Sequence, residues 1–65
     1  MSQPLANASA LLTVGEVAAA LRVSTMTVYR LINAGVLPAA RIGRSFRVRS
    51  GDLDRYLADR FTKAG

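Results

Sequence analysis

"LRVSTMTVYRLINAG", residues 21–35, contains the end of one helical pattern and the whole of the next. Ser24 stands directly before the second pattern, where a serine hydroxyl can accept from an otherwise unpaired amide of the first turn. Val28, Leu31 and Ile32 then recur three and four residues apart, which sets them on one face of a helix. Gly35 follows where a helix commonly ends in a left-handed residue. On the other side, "TVGEVAAAL" (13–21) opens with Thr13 three residues before Glu16, the spacing of a capping box. Val14, Val17, Ala18 and Leu21 fall at i, i+3, i+4 and i+7 and predict a buried stripe about two turns long. The join is three or four residues and includes Val23, an apolar residue expected to pack under the crossing. So short a connection makes the two helices cross steeply, the geometry of a helix-turn-helix.

Beyond Gly35 the period changes from 3.6 to 2. "RIGRSFRVR" (41–49) alternates apolar and polar residues and predicts a β-hairpin with Gly43 at its tip, Pro38 preceding the regular pairing. This alternation is expected to send Ile42, Phe46 and Val48 into the core and Arg41, Arg47 and Arg49 outward, with Arg44 at the tip. "SGDLDRYLADRF" (50–61) then reads as a third helix. Ser50 is its expected cap, Asp52 and Asp54 lie in the dipole-favoured first turn, and Leu53, Tyr56, Leu57 and Phe61 form its apolar stripe. The predicted order is helix, helix, strand, strand, helix. This is a mostly α fold with a two-stranded β-hairpin wing, a winged helix-turn-helix over residues 11–62. "MSQPLANASA" (1–10) has no period and is expected to be a disordered lead-in, with 63–65 as a short tail.

A chain of 65 residues has room for one small core. It contains no cysteine and no histidine, so disulfides, the usual zinc ligand sets and His- or Cys-centred catalysis are closed to it. No cofactor and no metal are expected. The acids are Glu16, Asp52, Asp54 and Asp59, all at helix starts or in position for surface pairs, and no catalytic group is assigned. The longest apolar stretches fall far short of the roughly 20 residues that cross a bilayer, and the N-terminus lacks a basic region before an apolar one. A soluble, cytoplasmic chain with no membrane partner is the expectation.

Net charge is +5, and its distribution says more than its sum. Residues 22–50 hold six arginines and no acid, flanked by segments that are nearly neutral. A basic block of this kind suits a polyanion, most often nucleic acid. Any one arginine is equally consistent with a solvated side chain covering the sheet; four on one ribbon form a cluster that calls for a partner. Arginine suits phosphate because its fork binds two oxygens and its weakly hydrated plane enters a narrow minor groove. Arg41, Arg44, Arg47 and Arg49 are therefore candidate wing contacts, with Arg44 assigned to the minor groove. The outward positions of the second helix are Thr25, Met26, Thr27, Tyr29, Arg30 and Asn33, the candidate readers of duplex DNA in the major groove. Arg30 can meet a guanine or a phosphate, while Thr25, Met26 and Thr27 suit thymine methyls and phosphate oxygens. Tyr29 serves equally as a phosphate donor or a packing residue, and Arg22 in the turn is a candidate phosphate contact.

The run "LLTVGEVAAALRVSTMTVYRLINAGVLPAARIGRSFRVRSGDLDRYL", residues 11–57, resembles the excisionase-type helix-turn-helix domains, relatives of the MerR winged helix. The resemblance implies a second helix in the major groove and a wing on the adjacent minor groove or backbone. Only "TKAG" follows the third helix, without the long dimerisation helix and effector domain of full MerR-type regulators, so a ligand-sensing twofold activator is not expected. One module of this size buries roughly 600–1,000 Å² on DNA and reads a few base pairs, so several linked copies must supply specificity. Small phage excisionases, or recombination directionality factors, line up on direct repeats, bend DNA and help an integrase run excision. The resemblance thus implies a chain monomeric in free solution, self-associating head to tail on DNA, with an integrase as candidate partner. Two other readings stay open: a small MerR-like transcriptional regulator, and a protein-interaction adaptor whose basic face docks an acidic partner.

Overall fold

The capping box expected at the first helix is formed. Thr13 Oγ1 accepts from the Glu16 amide at 3.0 Å, and the Thr13 amide donates to Glu16 Oε1 at 2.8 Å. The computed structural model describes residues 10–64, and its first helix, α1, spans Val14–Leu21. Val14, Val17 and Ala18 are buried and Leu21 packs at the core's edge, as the i, i+3, i+4, i+7 spacing requires. The helix ends on Arg22, which takes the left-handed conformation at φ 61°, ψ 44°, its amide donating to Ala19 O at 3.2 Å.

Val23 does not pack under the crossing; it is exposed. Its amide donates to Ala18 O at 3.0 Å, closing the turn, while the fully buried Val17 and Val28 supply the core between the helices. The second helix, α2, spans Thr25–Asn33, and Ser24 Oγ accepts from the Thr27 amide at 3.2 Å. Ala34 caps its C-terminus and Gly35, at φ 77°, turns the chain away, a conformation that favours glycine. Leu31 O accepts from both the Val36 and Leu37 amides, at 3.0 and 3.2 Å. This turn drives Leu37 into the core, where it leaves only 1% of its surface exposed. Neither helical nor strand periodicity marks Leu37, because it lies between elements.

The hairpin is part of a larger sheet than the predicted pair of strands. Three antiparallel strands, β1 (Leu11–Thr13), β2 (Ala40–Ile42) and β3 (Ser45–Arg49), lie in the order β1-β3-β2. β1 has three residues, too few to display a period of two, and sits just before the capping threonine. It pairs Leu11 with Arg49, Leu12 with Val48 and Thr13 with Arg47, and the Ser50 amide continues the ladder to Ala10 O at 2.8 Å. Ala10, expected within the lead-in, is thus tied to the sheet, while the expectation for residues 1–9 lies outside the described residues.

The register of β2 also corrects the predicted facing. Ala40 lies opposite Arg47, Arg41 opposite Phe46, and Ile42 opposite Ser45. Residues directly opposite in an antiparallel pair share a face, so Arg41 joins Phe46 and Val48 on the inner face while Ile42 lies on the outer face, half its surface exposed. The cause is the two-residue turn. Gly43 at φ 65° followed by Arg44, which is not left-handed, has the type II′ pattern, and it makes Ile42 the partner of Ser45. Reading the alternation straight across "GRS" slips the parity by one, which turns a whole strand over.

The third helix, α3, spans Ser50–Ala64, so Ser50 is its first residue and the helix runs into the stretch expected as a tail. Asp52 lies in its first turn and Asp54 follows in the next. Leu53 is buried, with Tyr56 and Leu57 packed against the core; the side chain of Phe61, and Gly65, lie outside the described ones. The fold is a mostly helical winged helix-turn-helix, with a third strand stitched to the wing.

Candidate nucleic-acid interface

Burial of Val28 turns the opposite side of α2 to solvent. Met26, Tyr29, Arg30 and Asn33 fall at i, i+3, i+4 and i+7 there and are all exposed, Met26 to 63%. The six sequence candidates on this helix are thus not equivalent. Thr25 is exposed beside the stripe, while Thr27 is half-buried and its hydroxyl lies 3.1 Å from Ser24 Oγ, within the cap. No acid occurs in the first turn, so nothing offsets the partial positive charge of the helix N-terminus.

The wing continues this surface on one side only. Phe46, half-buried on the central strand, meets Tyr29 edge-on with ring centroids 6.1 Å apart and planes at 61°. The Arg41 guanidinium lies over the Phe46 ring, 5.5 Å from its centroid. Ring contacts therefore connect the exposed stripe of α2 to Arg41 on the edge strand. Arg44 is exposed in the turn and makes no hydrogen bond or ion pair among the described residues.

Arg47 and Arg49 lie on the outer face, in register with Thr13 and Leu11. Arg47 is half-buried, and its Nη1 donates to the carbonyl of Phe46 at 3.1 Å. Arg49 Nε donates to Asp52 Oδ2 at 3.1 Å, a salt bridge whose arginine side is 66% exposed and whose net worth is about 0–1 kcal/mol. The three wing arginines expected on one face are divided, Arg41 on the inner face and Arg47 and Arg49 on the outer, with a carboxylate beside Arg49. Arg22 is exposed in the turn between α1 and α2.

The contact that composition cannot show is Tyr29 with Phe46. The pairing of Arg41 with Phe46 does have a signal, the turn length, since counting back from a two-residue turn brings Arg41, not Ile42, onto the face of Phe46. Elsewhere, a surface hollow of about 360 Å³ is lined by Val36, Pro38 and Tyr56 with Asp52, Arg55, Asp59 and Arg60. Its charged lining, two acids and two arginines, comes from α3 and not from the acid-free stretch 22–50. Among the described residues no group of three or more His, Cys, Asp or Glu is placed to hold a metal ion, and no helix is long and apolar enough to cross a membrane.

Residues 11–60 match a protein family described as a helix-turn-helix domain. Two Mycobacterium tuberculosis proteins are 56% identical to this chain over 55 residues, which is 85% of this chain and 70% of theirs. They are named "Putative DNA-binding protein Rv0500A" (strain H37Rv) and "Putative DNA-binding protein MT0521" (strain CDC 1551 / Oshkosh). "Uncharacterized protein YvgK" of Bacillus subtilis strain 168 is 57% identical over 44 residues, 68% of this chain but 14% of its own length. No solved structure matches the chain.

Proposed function

We propose that this chain, which belongs to the helix-turn-helix domain family, binds duplex DNA with α2 in the major groove and the wing on the adjoining backbone or minor groove. One observation carries the reading. The exposed stripe Met26, Tyr29, Arg30, Asn33 continues through Phe46 to Arg41 within a segment, residues 22–50, that contains no carboxylate. The names of the two M. tuberculosis relatives support it.

In this reading Arg30 reaches a guanine edge or a phosphate, and Met26 supplies apolar surface to a thymine methyl. Thr25 and Asn33 serve backbone oxygens beside them, and the Tyr29 hydroxyl donates to phosphate. Arg22 meets the phosphate nearest the turn. The role we assign is that of an excisionase-type architectural protein. Several copies bind direct repeats, bend the DNA and favour an integrase's excision reaction. Two things support it: the resemblance of residues 11–57 to that class, and the few base pairs that roughly 600–1,000 Å² of protein surface can read.

The test is affinity selection of sheared DNA from the replicon that encodes the chain, in about 150 mM salt, where the Debye length is about 8 Å and unspecific attraction is screened. Closely spaced direct repeats beside an integrase attachment site are the expected yield. Repeats confined to promoters would replace the excisionase role with that of a transcriptional regulator. No enrichment would overturn site-specific binding and leave a basic adaptor surface.

A further inference from the structure

We infer that the wing's arginines divide by sheet face: Arg41 and Arg44 bind phosphate, Arg47 and Arg49 are engaged within the protein, and Phe46 positions Arg41 beside the recognition helix. The inference rests on the DNA-binding reading of α2. A duplex lying against the exposed stripe of α2 meets the sheet face that Tyr29 touches, which is the face of Phe46 and Arg41. It also reaches the turn, where Arg44 is exposed. It cannot at the same time lie against the outer face, where Leu11, Ile42, Arg47 and Arg49 sit.

The polar partners agree with this division. Arg47 and Arg49 already spend donors inside the protein, on the Phe46 carbonyl and on Asp52. Phosphate would have to compete with both. Arg41 is occupied differently: its guanidinium carbon lies over the Phe46 ring, and none of the guanidinium N–H groups donates a hydrogen bond among the described residues. A cation–π contact consumes no N–H donor, so the donors stay available to phosphate. β2 is an edge strand, so a side chain on its inner face remains accessible, and Arg41 is exposed. A guanidinium already held over a ring also loses less rotamer freedom when it binds.

Phe46 is in this sense a positioning residue, and its neighbour Tyr29 ties it to the helix that reads bases. The experiment measures affinity of the full chain for a duplex selected as above, across a range of salt, for single and paired variants whose folding is checked by thermal melting. Arg41→Ala and Arg44→Ala are each expected to make the slope of log affinity against log salt shallower by about 0.9, one phosphate contact each. Arg47→Ala and Arg49→Ala should leave the slope unchanged. Phe46→Leu keeps apolar volume and removes the ring. It should weaken binding in the parent chain and have no further effect in the Arg41→Ala background.

A slope lost equally at Arg47 or Arg49 would overturn the division. So would an equal effect of Phe46→Leu in both backgrounds, which would mark Phe46 as a packing residue only. Because Phe46→Leu can itself loosen the wing, Arg41→Lys gives a second reading: it keeps the charge but lacks the guanidinium that lies over the ring, and should recover only part of the loss seen in Arg41→Ala. Full recovery by lysine would show that charge alone matters and remove Phe46 from the account. Failure of the parent chain to bind the duplex would instead overturn the reading of α2 and the division with it.

Discussion

Arg22 is the only described non-glycine residue at positive φ, and an L side chain in the left-handed region costs about 1–2 kcal/mol. Glycine would relieve that strain. Arg22→Gly is expected to raise the unfolding free energy by about 1 kcal/mol in a denaturant titration, after allowance for glycine's greater freedom in the unfolded chain. If the side chain meets phosphate, the same variant binds DNA more weakly while being more stable, a divergence that a purely structural role would not produce. Arg30 poses a different question. Arg30→Ala is expected to cost about 1–3 kcal/mol on the preferred site and to change the ranking of sites. An equal loss on every sequence would reassign Arg30 to the backbone.

At the scale of elements, two local devices set the geometry of the interface. Ser24 takes the Thr27 amide at the start of α2 and lies 3.1 Å from its hydroxyl. Ser24→Ala is expected to destabilise the fold by about 1 kcal/mol and to speed amide exchange in the first turn of α2. Unchanged exchange there would mean that packing against α1 holds the turn without the cap. The wing depends likewise on Gly43, whose φ of 65° belongs to a two-residue turn. Gly43→Ala is expected to cost about 1–2 kcal/mol in stability. It should loosen the Tyr29–Phe46 contact, read by NMR as a shift of both rings' resonances. Caps of this kind were legible in the sequence because each is a contact over three residues. The pairing of Arg41 with Phe46 was not, since it depends on the conformation adopted at the turn.

For the whole molecule, the margin is small. Val14, Val17, Ala18, Val28, Leu37, Val48 and Leu53 make up the buried core, and a chain of this length has total stability of roughly 3–10 kcal/mol. Truncating a fully buried leucine costs about 2–5 kcal/mol. Leu37→Ala is therefore expected to unfold an appreciable fraction of the molecules at 37 °C, although Leu37 lies among the core residues and not on the exposed stripe. Apparent affinity then falls by the unfolded fraction, and saturating duplex should restore the melting temperature by mass action. A variant with parent-like melting and weak binding would contradict this. The electrostatic counterpart is the total salt slope. Contacts from Arg22, Arg30, Arg41 and Arg44 alone give about −3.6, whereas all six arginines of residues 22–50 would give about −5.4.

Features carried by contacts a few residues apart were for the most part legible in the sequence. The capping box at Thr13, the cap at Ser24, the glycine after α2 and the buried stripes of the helices each follow from residues a few positions apart. The basic, acid-free segment and the existence of a hairpin are read in the same way. The folded chain was needed to assign the face of each wing arginine, the pairing of Leu11–Thr13 in the sheet, the exposure of Val23 and the place of Leu37 in the core. Strand side chains alternate with a period of two, so one residue of turn geometry reverses them. A three-residue strand and a loop leucine have no period at all, and only the partners the chain folds onto can assign their places.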